Sequence, residues 1–139
     1  MLECLIIGDS IAVGVDMFAP RECVSYARSG ITSQQWNRRW RNIRLEADTI
    51  VISLGTNDYR AADTQNQLTN IRTRVRMGSR VVWVLPPCNP RFCKPEINSV
   101  VRNIAVRFGD QIISTSHLQP DRIHPTPRGY RDLVSRANL

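Results

Sequence analysis

Apolar positions in this chain form two kinds of run, short continuous blocks and longer stretches spaced by three and four, and the two kinds alternate. Leu2 to Ile7, Glu22 to Arg28, Thr49 to Leu54, Arg80 to Leu85 and Gln111 to Ser114 are the short blocks. Their length, and the glycine or proline that stops three of them, predict strands. Thr49-Ile50-Val51-Ile52-Ser53-Leu54 is β-branched and almost unbroken, as a central strand covered on both faces would be.

The spaced stretches predict helices. Ser10 opens one that runs to about Met17, and Thr32 or Ser33 caps the next, whose inner face is Trp36, Trp40 and Ile43. A third, from about Asp63 to Met77, turns Leu68, Ile71 and Val75 inward. Pro95 suits the first position of a fourth, in which Ile97, Val100, Val101, Ile104, Ala105 and Phe108 form one stripe before Gly109 stops it. Thr126-Pro127 starts the last, with Tyr130, Leu133, Val134 and Ala137 inside. Pro86 to Lys94 is the longest stretch with no period.

Strands alternating with helices imply an α/β fold, a three-layer α/β/α sandwich around a five-stranded parallel sheet with right-handed crossovers. With 139 residues, 42% of them hydrophobic, residues 1–139 are expected to form a single domain. No apolar run reaches the roughly 18 residues of a membrane span, and Leu5-Ile6-Ile7 is too short for a signal-peptide core, so the expectation is a soluble chain without membrane insertion. In a sheet of this kind ligands collect beyond the carboxyl ends of the strands. Ser10, Gly30, Asn57 and the Pro86 to Lys94 loop all fall there.

The net charge of +7 comes from 18 arginines and one lysine, Lys94, against 12 acidic residues. Arginines are scattered, with Arg38, Arg39, Arg41 and Arg44 on one predicted helix and Arg72, Arg74 and Arg76 on another, and no basic tract is interleaved with aromatics. Solvated helix faces are therefore favoured over a nucleic-acid groove, and no nucleic-acid partner is expected. Cys4 and Cys23 sit in predicted strands and read as small core residues, whereas Cys88 and Cys93 bracket a short loop that could close as a disulfide or stay as two thiols. No histidine lies near them, which removes a zinc site; no metal is expected.

Ser10 follows a strand and opens a helix, where the helix N-terminus favours developing negative charge. His124 is the candidate base, and Asp121, three residues earlier, can fold back to hold its far ring nitrogen. His117 lacks such a neighbour and reads as a loop residue. Gly30 permits close backbone approach, and Asn57 offers an amide, so both can serve as oxyanion donors. There is no Gly-x-Gly-x-x-Gly, no Gly-x-x-x-x-Gly-Lys and no Gly-x-Ser-x-Gly around Ser10. A phospho-receiver built on Asp9 and Asp58 would lack its lysine near the fifth strand.

Together Gly8-Asp9-Ser10, Ser29-Gly30, Gly55-Thr56-Asn57-Asp58 and Asp121-Arg122-Ile123-His124-Pro125 resemble the blocks of the SGNH (GDSL-type) hydrolases. Ser29 to Gln35 is similar to the second block of the family's bacterial thioesterase/lysophospholipase branch. The resemblance implies a flavodoxin-like sandwich, Ser10 as nucleophile, His124 as general base and acid, and Asp121 as its orienting carboxylate. It implies an oxyanion hole made by the Ser10 and Gly30 amides with the Asn57 side chain, Asp9 and Asp58 as supporting residues, and no cofactor. In so short a chain there is little room for a lid, and an open cleft suits small acyl groups on bulky alcohols, acetylated carbohydrate best. The Pro86 to Lys94 loop is expected to border that cleft. A thioesterase or lysophospholipase is the alternative enzyme, and a non-catalytic glycan- or nucleic-acid-binding module the alternative of another class.

Overall fold

The computed structural model describes residues 2–139. In chain order the elements are β1 (Leu2–Gly8), α1 (Ser10–Phe18), β2 (Cys23–Ala27), α2 (Ser33–Arg39), β3 (Ala47–Ser53), α3 (Ala61–Arg74) and β4 (Arg80–Val84). They continue with β5 (Cys88–Asn89), β6 (Phe92–Cys93), α4 (Pro95–Phe108), β7 (Gln111–Ile113) and α5 (Pro127–Arg136). Five strands make one wholly parallel sheet in the order β2-β1-β3-β4-β7, and β5 with β6 forms a separate antiparallel hairpin. This is the flavodoxin-like order once the hairpin is set aside.

Alternation along each strand divides the core in two. Leu5, Ile7, Ile50, Ile52, Val81 and Trp83 face one way, onto Trp36 of α2, Leu68 and Ile71 of α3, and Val101 and Ile104 of α4. Ile6, Val51, Val82 and Val84 face the other way, onto Ile11, Ala12 and Val15 of α1 and Leu133 of α5. Because both faces are covered, the central strands are apolar at nearly every position and their period of two is invisible in the sequence.

Three expectations are corrected. The second helix ends at Arg39, before Trp40 and Ile43. The Arg74 guanidinium there donates to the Trp40 and Ile43 carbonyls at 2.9 and 3.0 Å, replacing the helical bonds these groups would otherwise make. The Pro86 to Lys94 stretch is not irregular, since its centre is the β5–β6 hairpin, closed by a Cys88–Cys93 disulfide. Cys4 and Cys23 are not free core thiols: they stand opposite each other in the β1–β2 register, Cα atoms 4.6 Å apart, and form a second disulfide.

Candidate active site

The strand order reverses between β1 and β3, and a crevice opens beyond their carboxyl ends. Ser10 leaves β1 there and the Gly55 to Asp58 turn leaves β3. Gly8 makes the approach possible, because its φ is +143° and a Cβ on it would lie 1.8 Å from the Ser53 carbonyl oxygen. The chain turns at once, with the Asp9 amide donating to that oxygen at 2.9 Å.

Asp9 is the N-cap of α1, its Oδ1 accepting from the Ile11 amide at 3.0 Å and from the Ser53 hydroxyl at 3.2 Å. Its Oδ2 is buried with no partner among the described residues. Burial outweighs those hydrogen bonds and pushes the carboxyl up to about 7. Asp9 thus fixes the start of the helix on which Ser10 rides, from behind the crevice.

Ser10 Oγ lies 2.9 Å from His124 Nε2, and His124 Nδ1 lies 2.7 Å from Asp121 Oδ2. A single turn builds the acidic half of this relay. Asp121 Oδ1 accepts from the Ile123 and His124 amides at 2.9 and 3.0 Å, and Arg122, the residue after Asp121, adopts φ +62° in the same turn. The bond to the imidazole, with those two amides, lowers the Asp121 carboxyl to about 2, so it is ionised at any pH where the site would work. The carboxylate fixes the proton on Nδ1 and leaves the Nε2 lone pair for Ser10. Both side chains remain accessible, His124 at 37% and Asp121 at 43%, so nothing lids the relay.

Gly30 has φ +78°, and a Cβ there would meet no atom of the described residues within 4 Å, so a side chain at this position would face open space. Its amide has no acceptor among the described residues. As the first residue of α1, Ser10 likewise presents an amide without an intrahelical partner. The Asn57 Nδ2 group donates to the Ile31 carbonyl at 3.1 Å, which orients the amide and leaves its second proton free. Asp58, beside it, is buried and receives the Ser33 amide at 2.9 Å, the Ser33 hydroxyl and the Thr64 hydroxyl at 2.7 Å. It locks the Asn57 turn to the start of α2. His117 lies in a loop, its carbonyl accepting from the Thr126 amide at 2.8 Å.

The β5–β6 hairpin touches both halves of the site. Asn89 Nδ2 donates to the Arg122 carbonyl at 2.9 Å, inside the Asp121 to His124 turn. Lys94 Nζ donates to the carbonyls of Thr56 and Asp58 at 3.0 and 2.8 Å, on either side of Asn57. Sequence reasoning missed both contacts, and the only signal for them was the pair of cysteines that frames the hairpin.

The model of the GDSL-like lipase/acylhydrolase family matches residues 6–131, which contain every residue of this relay and all three candidate oxyanion donors. The chain belongs to that family. It is an acyl-ester hydrolase of the GDSL type, a family to which a triad and an oxyanion hole are general. Its fold is that of a lipolytic G-D-S-L family member from Veillonella parvula, with TM-score 0.70 and 15% identity over 99% of this chain and 97% of that one. The C-terminal catalytic domain of peptidoglycan O-acetyltransferase A from Streptococcus pneumoniae is similar in fold too, with TM-score 0.65 and 17% identity over 97% and 91% of the two chains. No curated protein sequence matches the chain. In this GDSL-type chain no helix among the described residues is long and apolar enough to cross a membrane.

Proposed function

We propose that the chain is a serine esterase that removes small acyl groups, acetyl above all, from a carbohydrate. The unbroken relay from Ser10 through His124 to Asp121 carries this reading. As the substrate carbonyl arrives, Ser10 Oγ attacks its carbon and His124 Nε2 takes the hydroxyl proton. The resulting oxyanion is met by the Ser10 and Gly30 amides and by the free Asn57 proton. Collapse of the tetrahedral intermediate breaks the bond to the alcohol, which leaves with the proton from His124. A water molecule, deprotonated by His124, then attacks the acyl-serine, and the proton returns to Ser10 as the carboxylic acid departs.

Accessibility of His124 and Asp121 supports a bulky alcohol and a small acyl group, because the relay opens directly to solvent. A long-chain thioesterase or lysophospholipase needs an apolar channel beside its serine. The fold's likeness to a domain named for peptidoglycan O-acetyl transfer is in keeping with an acetyl group on a glycan, at the level of fold alone.

The test is hydrolysis of aryl esters from acetyl to long-chain by the native chain and by Ser10→Ala, with fluorophosphonate labelling in parallel. Acetyl should be preferred, and Ser10→Ala should lose at least about a thousandfold in kcat and all labelling. Full turnover by Ser10→Ala would refute the mechanism, and a preference for long chains would move the reading to the lipase-like alternative.

A further inference from the structure

A cavity of about 470 Å³ opens on the Gly30 side of the crevice, lined by Arg28, Gly30, Ile31, Gln35, Arg38 and Arg39 among others. It shares its wall with the candidate oxyanion donors. Gly30 supplies one of them directly, and the Ile31 carbonyl orients the Asn57 amide that supplies another. Arg28, at the end of β2, donates its amide to the Gly8 carbonyl at 3.0 Å, so the loop is pinned two residues before Ser10. Arg38 and Arg39 come from the last turn of α2.

Some arginines of the molecule are held by the protein, while others, Arg41 and Arg107 among them, have no hydrogen-bond or carboxylate partner among the described residues. Arg72 grips Asp110 through two bonds at 2.7 and 2.9 Å, Arg74 caps α2, and Arg136 reaches Asp132 and the Ser114 carbonyl. Among the described residues, the Arg28, Arg38 and Arg39 guanidiniums have no carboxylate partner within 4.0 Å and donate no hydrogen bond to the protein. Among the described residues no acidic side chain lines the cavity. Arg39 rests over the Trp40 ring at 5.1 Å, which restrains its stem without using its N–H groups. Three uncompensated cations around one hollow repel each other and raise the local potential for an anion. Guanidinium forks match the oxygens of carboxylates and phosphates.

The hollow is also the wrong size for the acyl group. Its volume falls in the range of about 300–1,000 Å³ that accepts whole small molecules, whereas an acetyl group has only three heavy atoms. We propose that this cavity is a subsite for a carboxylate or phosphate carried on the alcohol portion of the ester, so that the favoured substrate is an acylated acidic saccharide. The proposal rests on the esterase reading above and names the substrate class of that same site.

Matched acetyl esters of a neutral sugar, a uronic acid and a sugar phosphate test it, on the native chain and on Arg38→Gln/Arg39→Gln, at low salt and at about 0.5 M salt. On the native chain at low salt, kcat/KM for at least one acidic ester should exceed that for the neutral ester about tenfold or more, and which one does tells carboxylate from phosphate. That ratio should fall toward one in the variant and in high salt. Equal kcat/KM for all three esters, or a variant that loses equally on neutral and acidic ones, overturns the subsite while leaving the esterase intact. Absence of turnover on every ester overturns the esterase reading instead, and the subsite is then judged by titrating the Ser10→Ala chain with a short oligogalacturonate, a sugar phosphate and a neutral oligosaccharide. Binding of an acidic ligand that salt and the arginine substitutions abolish supports the subsite, and no acidic preference rules it out.

Discussion

Asp9 shows how one residue of a motif can serve the site without touching it. Its Oδ1 caps the helix that starts at Ser10, but its Oδ2 is buried without a partner among the described residues, so the carboxyl holds its proton up to about 7 instead of the ordinary 3.8. The unfolded chain gives up that proton near 3.8 and the folded chain near 7, so between these values the folded state binds the extra proton. The stability linked to it is complete below about pH 4 and declines as pH rises to about 7, by at most about 1.4 kcal/mol per pH unit. Asp9→Asn keeps an oxygen at the cap and has no proton to lose. Denaturant unfolding of both chains at several pH values should therefore show a decline across this window for the native chain relative to Asp9→Asn, with the difference constant above it. A difference that does not vary with pH would mean that Asp9 is ionised in the fold throughout.

At the scale of elements, the strands β1, β3 and β4 were legible as apolar blocks because each is covered on both faces. The same coverage hid which side chains face which helices. Helix α4 was legible from end to end, since Pro95 and Gly109 mark its limits chemically. By contrast α2 was overrun, because Trp40 and Ile43 keep the helical period, while what stops the helix is Arg74, more than thirty residues away along the chain. Triad and oxyanion candidates were legible for another reason: each occupies a short block whose local turn is made by neighbouring residues. The β5–β6 hairpin was not, as two-residue strands have no period and their partners lie in distant turns.

That hairpin has a job that can be measured. Arg122 sits at φ +62°, a conformation costing an ordinary residue about 1–2 kcal/mol, and the Asn89 donor on its carbonyl helps hold it there. Asn89 Oδ1 meanwhile accepts from the Arg91 and Phe92 amides and shapes the hairpin turn. Asn89→Asp keeps the acceptor and removes the donor, so the turn survives while the Arg122 carbonyl faces a carboxylate. We expect kcat on an aryl acetate to fall about tenfold with KM nearly unchanged, as small misplacement of a catalytic base costs rate more than binding. Asn89→Ala should cost in addition some stability. Native kcat in Asn89→Asp would show that Asp121 and His124 are positioned by their own turn alone.

Over the whole molecule the two disulfides sit at opposite ends of the sheet and divide its needs between them. Cys4–Cys23 ties β1 to β2 at the end away from the crevice and closes a segment of sequence separation 19 that contains all of α1. Closing a loop of that length is worth about 3 kcal/mol in the chain-entropy account. Cys88–Cys93, with sequence separation 5, closes a loop too short to restrict the unfolded chain as much, yet it frames the hairpin that reaches both the Asn57 turn and the His124 turn. The same chemistry should therefore have separable consequences. Cys4→Ala/Cys23→Ala should lower Tm by on the order of 10 °C while kcat at 25 °C stays native, because Ser10, His124 and Asp121 are braced from the other end. Cys88→Ala/Cys93→Ala should lose less in Tm and more in kcat, and a reductant added to the native chain should produce both changes together. Thermal melts and aryl acetate turnover on the two double variants decide it: equal loss of kcat in both would mean that the site feels only global stability, and native kcat in Cys88→Ala/Cys93→Ala would mean that Asn89 and Lys94 hold the hairpin in place without the covalent link.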